Sequence, residues 1–164
     1  MQPLPGDFGV VHIVGGVGLM IRVGQWLNGD GFADYEHAFV FVGDGQVVEA
    51  QPGGAHETAL SDYDGRTLAW STDKVPVTDQ QRQDIVTAAR SYIGVPYSFA
   101  DYLSLTLARL HLRLPAVKRY VASTHHMICS QLVDQCYLDA GIHLFADGRR
   151  PGDVTPGDLY KLIR

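Results

Sequence analysis

Features that would place this 164-residue chain in a special class are scarce or missing. No apolar run approaches the roughly 20 residues that a helix needs to cross a bilayer. Residues 1–7 have neither a basic n-region nor an apolar h-region, so no secretory signal peptide is expected there. The sequence therefore predicts a protein that stays in the cytosol of the cell that produces it, or is exported by a route that needs no N-terminal signal.

An excess of positive charge is also missing. The chain has 13 Lys and Arg against 18 Asp and Glu, a net charge of −5, so it carries no global basic signal for nucleic acid. Hydrophobic residues make up 46% and charged residues 19%, which is an ordinary globular balance. The length fits one domain over residues 1–164, large enough to bury a core without disulfides or metals.

Cysteine is scarce, with only Cys129 and Cys136. Apolar side chains recur at helical spacing over residues 128–140, and Gly141 follows as a stop signal. Two cysteines on one helix at this spacing lie about 10 Å apart, whereas a disulfide needs Cα atoms within about 7 Å. Free thiols suit a reducing compartment, and Cys136 is expected in the core.

Strand and helix signals divide the rest of the chain. Residues 8–14 form a short apolar run after a Pro-Gly-Asp turn signal, and residues 68–70 are the best strand candidate in the middle of the chain. A capping box at residues 78–81 opens a helix that Gly94 ends. Its predicted apolar positions are Ile85, Val86, Ala89 and Ile93.

The clearest local structure is a β-hairpin. Residues 37–42 and 46–50 are two β-rich runs, and the Gly-Asp-Gly sequence at residues 43–45 separates them. A three-residue loop that contains glycine is typical of a hairpin connection. The sequence therefore predicts two antiparallel strands here.

The register of this hairpin brings chemistry-bearing side chains together. The simplest pairing places Val42 opposite Gln46. It follows that Phe39 lies opposite Glu49, with His37 diagonal to Glu49. Because side chains alternate along a strand, His37, Phe39 and Glu49 then share one face. Diagonal neighbours lie about 7–8 Å apart, within reach of long side chains, and a slip of one residue would destroy the pairing.

Cys129 falls in the first turn of its helix, where unpaired backbone N–H groups and the helix dipole stabilise a thiolate. A thiolate attacks acyl carbons, and it needs a base and a group that orients the base. His37 and Glu49 suit these two roles, and backbone N–H groups at the helix start suit the oxyanion. These residue types alone leave open the alternative that Cys129 is a core residue and His37 a structural histidine.

A metal site is another possible use of Cys129. His125 and His126 lie just before it, in a His-His-x-x-Cys pattern. Zinc would need a third or fourth protein ligand nearby, and the sequence shows none, so no metal is expected.

Short motifs over most of the chain resemble the NlpC-type cell-wall peptidases and their relatives. In that family a Cys-Ser pair opens the nucleophile helix, and Ile128-Cys-Ser-Gln-Leu-Val133 is similar. Residues 89–97 resemble the family's helix that ends in Gly-x-Pro-Tyr, and residues 141–144 resemble its Gly-Ile-x-Leu segment. Residues 37–45 resemble the histidine strand, and residues 48–49 the strand that follows it. Residues 4–8 resemble the Pro-Gly-Asp turn. The histidine half precedes the cysteine helix, as in the circularly permuted branch, which includes YiiX-like and YebB-like bacterial proteins and lecithin retinol acyltransferase relatives.

The resemblance implies an α+β, papain-like fold whose antiparallel sheet carries His37 and Glu49 and packs against the Cys129 helix. It implies a cysteine hydrolase that uses these three residues as a triad and needs no metal or organic cofactor. Tyr97 and Ser130 are matched to substrate and oxyanion positions, although Tyr97 equally fits a turn aromatic that packs on the helix.

The resemblance leaves three functions open. The cell-wall branch implies cleavage of an amide bond in a peptidoglycan peptide, by a phage-type product or one exported without a signal. Permuted relatives also include lipid-directed acyl hydrolases and acyltransferases, and the basic, Leu-rich segment 102–121 would suit an anionic lipid or polymer, or packing on the core. A non-catalytic binding or structural module is the third alternative. The oligomeric state stays open.

Overall fold

The computed structural model describes residues 2–12, 35–96 and 127–164. These ranges form an α+β structure with a five-stranded antiparallel sheet and three α-helices. The 3₁₀ turns are Leu60–Tyr63 and Pro151–Asp153. In chain order the regular elements are β1 (Phe8–Val11), β2 (His37–Gly43), β3 (Gln46–Gln51), β4 (Gly54–Ala59), β5 (Leu68–Trp70), α1 (Asp79–Ser91), α2 (Cys129–Asp139) and α3 (Pro156–Ile163).

Several sequence predictions fall on parts of the chain beyond those ranges. They concern Tyr97, the segment 102–121, and the pair His125 and His126. Within the described part of the chain, no helix is both long and apolar enough to cross a membrane.

The sheet has the strand order β4-β3-β2-β1-β5, with every neighbouring pair antiparallel. The predicted pairing of Phe39 with Glu49 is confirmed. The predicted pairing of Val42 with Gln46 is wrong, because Gly43 takes that place and Val42 forms a bulge. The sheet therefore keeps the predicted register on the side of the hairpin where the candidate residues lie.

The hairpin turn is shorter than predicted. Only Asp44 and Gly45 connect the two strands, and their φ angles are +51° and +68°. Two central residues with positive φ define a type I′ turn, for which Asp-Gly is a preferred sequence. The sequence pattern was correct for a hairpin, but Gly43 belongs to β2 rather than to the loop.

The two faces of the sheet bury different clusters. On one face, Ala38, Val40 and Val48 pack with apolar residues of all three helices. On the other face, Phe39 packs in a smaller cluster with Tyr63 and Trp70, among others. Side chains alternate between the two faces along β2 and β3, which produces this division. His37 and Glu49 therefore lie on the face away from the main core.

The predicted capping box at the start of α1 is confirmed. Thr78 and Gln81 cap each other's backbone N–H groups, and Ile85 and Ala89 are buried. The prediction for Ile93 is wrong, since the helix ends at Ser91 and Ile93 is 44% exposed in the turn that follows. Gly94, predicted to end the helix, lies in the turn beyond it with a φ of +89°, and its N–H donates to the carbonyl of Ala55 at 2.8 Å.

α2 is the central helix of the main core. Leu132, Val133 and Cys136 are fully buried in that cluster, and the helix packs against β2, β3 and α1. Both cysteines lie on it and are free thiols, as predicted. Packing of α2 on the sheet fixes where its first residue, Cys129, comes to lie.

Candidate functional site

His37 opens β2, so its side chain lies at one end of the sheet. Its Nε2 atom lies 2.5 Å from Oε2 of Glu49 on the neighbouring strand. Both residues are buried, with relative exposures of 4% and 1%. Diagonal placement across the hairpin, with Phe39 directly opposite Glu49, produces this contact.

Cys129 reaches the same histidine from α2. It is the first residue of that helix and is 5% exposed. Its thiol lies close enough to the His37 ring to raise the pKa of the imidazole. Because Nε2 is committed to Glu49, the ring nitrogen left for Cys129 is Nδ1. The structure thus brings Cys129, His37 and Glu49 together in a row, with the imidazole in the middle.

The two neighbours change the protonation of His37. Burial alone lowers the pKa of an imidazole, but the charge and hydrogen bond of Cys129, followed by those of Glu49, outweigh it and raise the pKa of His37 to about 9. Burial likewise raises the pKa of Glu49, yet hydrogen bonds and charge from its neighbours, His37 first, bring it below the usual value. At neutral pH the imidazole therefore carries a proton and the carboxylate is ionised.

Tyr63 also binds the Glu49 carboxylate, and the sequence analysis missed it. Its hydroxyl donates to Oε2 of Glu49, the same oxygen that binds His37, and Gln51 Nε2 donates to that hydroxyl at 3.0 Å. Burial, and then the bond to Glu49, raises the pKa of Tyr63 above its usual range, so the phenol remains a donor. The ring stacks on His37 with centroids 6.1 Å apart.

His56 approaches Glu49 from the other side. Its Nε2 lies 3.4 Å from Oε1 of Glu49, and its Nδ1 lies 3.0 Å from the carbonyl oxygen of Gly54. β4 carries His56 directly opposite Glu49 in the sheet. The sequence did not predict β4, so His56 had no assigned partner. Once β4 is paired with β3, the register places His56 beside Glu49.

The start of α2 supplies backbone donors near Cys129. The first N–H groups of an α-helix have no partner within the helix, and those of Cys129 and Ser130 are among them. The side chain of Gln131 lies 3.5 Å from the N–H of Ile128. The Ser130 hydroxyl donates to the carbonyl of Val154 at 2.7 Å, so its side chain ties α2 to the C-terminal segment and leaves only its backbone N–H for an oxyanion.

No protein-family model matches this chain, and no curated protein matches it. The fold is similar to the crystal structure of the metalloprotein YiiX from Escherichia coli O157:H7, with a TM-score of 0.62. The chain has a YiiX-like fold. The superposition covers 93% of this chain and 79% of that one, at 19% sequence identity, so the likeness concerns the fold alone.

The description of YiiX as a metalloprotein invites a test of the residues found here. Across residues 2–12, 35–96 and 127–164, no three or more His, Cys, Asp or Glu side chains are arranged to hold a metal ion. His37 Nε2 and Glu49 Oε2 are 2.5 Å apart. A zinc ion between these two atoms would need a distance of about 2 Å to each of them, so the gap is too small. These residues do not fit a metal centre.

Proposed function

We propose that this protein is a cysteine hydrolase with a permuted papain-like arrangement. Cys129 is the nucleophile, His37 carries the proton, and Glu49 orients His37. The observation that carries the proposal is the buried imidazole held between the Cys129 thiol and the Glu49 carboxylate. Nucleophile, base and orienting group in hydrogen-bonded succession are the arrangement that acyl transfer needs.

The reaction begins when His37 takes the proton of the Cys129 thiol. The sulfur attacks the carbonyl carbon of an amide, a C–S bond forms, and the carbonyl oxygen takes the negative charge. The C–N bond then breaks as His37 gives its proton to the leaving amine, which leaves a thioester on Cys129. Water attacks the thioester, His37 takes up one proton, and the acid leaves with the thiolate restored. The raised pKa of His37 supports its role as the proton donor.

Two parts of the surroundings support these steps. The N–H groups of Cys129 and Ser130 at the start of α2 are suited to hold the oxyanion, in the manner of other acyl-transfer enzymes. The short bond from His37 Nε2 to Glu49 holds the ring and leaves Nδ1 as the nitrogen for the sulfur. The match of Tyr97 to a substrate position stays a prediction.

The proposed substrate is a peptide of peptidoglycan, cleaved at an amide bond. Support for this substrate comes from the sequence motifs that resemble the cell-wall branch, namely the Cys-Ser start of α2 and the Pro-Gly-Asp turn at residues 5–7. The buried site of Cys129, His37 and Glu49 supports the reaction type.

Purified peptidoglycan fragments and acyl-lipid vesicles, incubated separately with the protein, test the reaction and the substrate together. We expect the wild type to release peptide products and Cys129→Ala to release none. Cys136→Ala is the matched control, because Cys136 lies on the same helix and is fully buried in the core. It should retain turnover.

The outcomes separate the alternatives. Turnover of lipid without turnover of peptide would contradict the cell-wall substrate and favour the lipid-directed hydrolase. Turnover equal in wild type and Cys129→Ala would contradict Cys129 as the nucleophile. Release of nothing from either substrate would favour a non-catalytic module.

A further inference from the structure

An open cavity lies outside the site of Cys129, His37 and Glu49. Its volume is about 220 Å³, and it is lined by the C-terminal half of α2 and by residues 142–151. Leu138, Ile142, Leu144 and Phe145 give it apolar walls. None of the three proposed catalytic residues lines it. A ligand held here would therefore be separate from the proposed hydrolase chemistry.

One carboxylate of this cavity lacks a partner. Asp134 lines it, the residue is 6% exposed, and no residue in the described parts of the chain hydrogen-bonds to its carboxylate. Burial raises the pKa of Asp134 to about 6, against the opposing charges of Arg149 and His143, so the group is ionised at neutral pH. A buried charge is costly unless it is paired, so an unpaired one that faces a cavity marks the place for a donor.

The nearest cation does not meet this need. Arg149 is committed elsewhere: it binds Asp147 at 2.6 Å and Asp158 at 2.9 Å, and its guanidinium stacks on Phe145. Its charge reaches Asp134, but its Nε and Nη2 groups donate to Asp147, and its Nη1 atom lies 2.9 Å from Asp158. The carboxylate of Asp134 therefore faces the apolar cavity.

We propose that this cavity binds a small primary ammonium ion on an apolar body, with the ammonium group on the Asp134 carboxylate. The volume corresponds to about seven waters, so it suits a body of only a few carbon atoms. His143 and Arg150, both exposed, line the same cavity and disfavour a second positive charge on the ligand. A monoamine is therefore preferred over a diamine of similar length.

Isoamylamine is a suitable probe, followed by two-dimensional NMR of the full chain. We expect saturable shifts confined to amides that surround the cavity, and an affinity at least about tenfold lower in Asp134→Asn. Asp139→Asn is the matched control on the same helix, because Asp139 is exposed and does not line the cavity. Its affinity should equal that of the wild type. The unchanged remainder of each spectrum shows that the variants are folded.

Two further probes isolate the chemistry. Isoamyl alcohol keeps the apolar body without the charge, and putrescine adds a second cation, so both should bind more weakly than isoamylamine. Absence of saturable shifts with isoamylamine would overturn the proposal. Equal affinity in wild type and Asp134→Asn, or equal affinity for the alcohol and the amine, would also overturn it.

Discussion

Glu49 is the most heavily shared side chain of the candidate site. Oε2 accepts from both His37 and Tyr63, while His56 lies against Oε1. Such a carboxylate is fixed in one orientation, so it fixes the imidazole in turn. His37 and Glu49 could be predicted as partners, because alternation and register follow from a short hairpin. Tyr63 could not, because a 3₁₀ turn has no pairing rule that assigns a side chain to a strand.

Replacement of Tyr63 by Phe tests its role as a positioning residue. The ring and its stacking on His37 remain, but one donor to Glu49 is lost. We expect kcat to fall about tenfold, the equivalent of one hydrogen bond to a charged group, with KM unchanged. Tyr92→Phe is the control, because that hydroxyl binds the exposed Asp139. A loss of stability in Tyr63→Phe with unaltered kcat would show a purely structural role.

The protonation of His37 can be followed directly by NMR titration of its imidazole. We expect a pKa of about 9 in the wild type. Cys129→Ala removes the largest of the causes that raise this pKa, and Glu49→Gln removes the next, so both variants should titrate at lower pH. A pKa that neither substitution lowers would mean that neither partner interacts with the ring as described.

Asp134 predicts a pH-dependent gain of stability on substitution. Its pKa is about 6 in the folded protein and 3.8 for an ordinary aspartate, so the folded state binds the proton more tightly. The cost of the buried charge is therefore present above pH 6 and disappears as the pH falls toward 3.8. Asp134→Asn should raise the free energy of unfolding by on the order of 2 kcal/mol at neutral pH, and by much less in acid. Urea unfolding at several pH values would measure this, and a gain independent of pH would contradict it.

At the scale of elements, the β2–β3 hairpin shows why a partly wrong pattern gave the right register. The loop was predicted to have three residues and has two, whereas Val42 adds a bulge to β2. The turn has one residue fewer than predicted, and the bulge gives β2 one residue more. These two changes cancel in the register, so Phe39 still lies opposite Glu49. The bulge itself could not be predicted, because Val42 is an ordinary strand residue and buries its side chain in the main core.

Gly9 in β1 is a second element on which the site depends. A Cβ atom there would lie 2.5 Å from Phe39 and 2.9 Å from Trp70, so only glycine lets the Phe39 ring lie across β1. That ring also contacts His37, with centroids 6.2 Å apart. Gly9→Ala should cost about 1–3 kcal/mol of folding free energy by overpacking, and it should lower activity by displacing Phe39.

Gly45→Ala is the matched control for Gly9→Ala. Its φ of +68° is unfavourable for alanine, but no other atom lies within 4 Å of the new Cβ. We expect a cost of about 1 kcal/mol with activity retained in the folded protein. Chemical unfolding and turnover measured on both variants would check this, and equal loss of activity in both would contradict the specific role of Phe39.

At the scale of the whole molecule, backbone hydrogen bonds join the ends of the described ranges. The N–H of Glu36 donates to the carbonyl of Val11 at 3.2 Å, and the N–H of Met127 donates to the carbonyl of Pro96 at 3.0 Å. The chain therefore resumes beside the place where each described range ends. The position of α2 relative to the sheet follows from burial of its apolar stripe, which the 3.6-residue period predicted.

Long-range placement marks the limit of what the sequence predicts. Periodicity locates α1 and α2, and alternation locates β2 and β3, because both are local properties. The pairing of β1 with both β2 and β5 depends on contacts between distant residues, for which a single sequence has no local signal. The meeting of Cys129 and His37 is of this kind: the chemistry of the two residues suggested it, and the resemblance in motif order favoured it.

The most direct test of the central claim is the rate at which iodoacetamide alkylates Cys129 at neutral pH, followed by mass spectrometry. Because His37 activates the thiol, Cys129 should be alkylated in the native wild type, and about tenfold or more slowly in His37→Gln. Cys136, which is fully buried, serves as the internal control and should stay unmodified until the protein unfolds. Equal rates at Cys129 in both proteins would contradict the claim that His37 activates this cysteine.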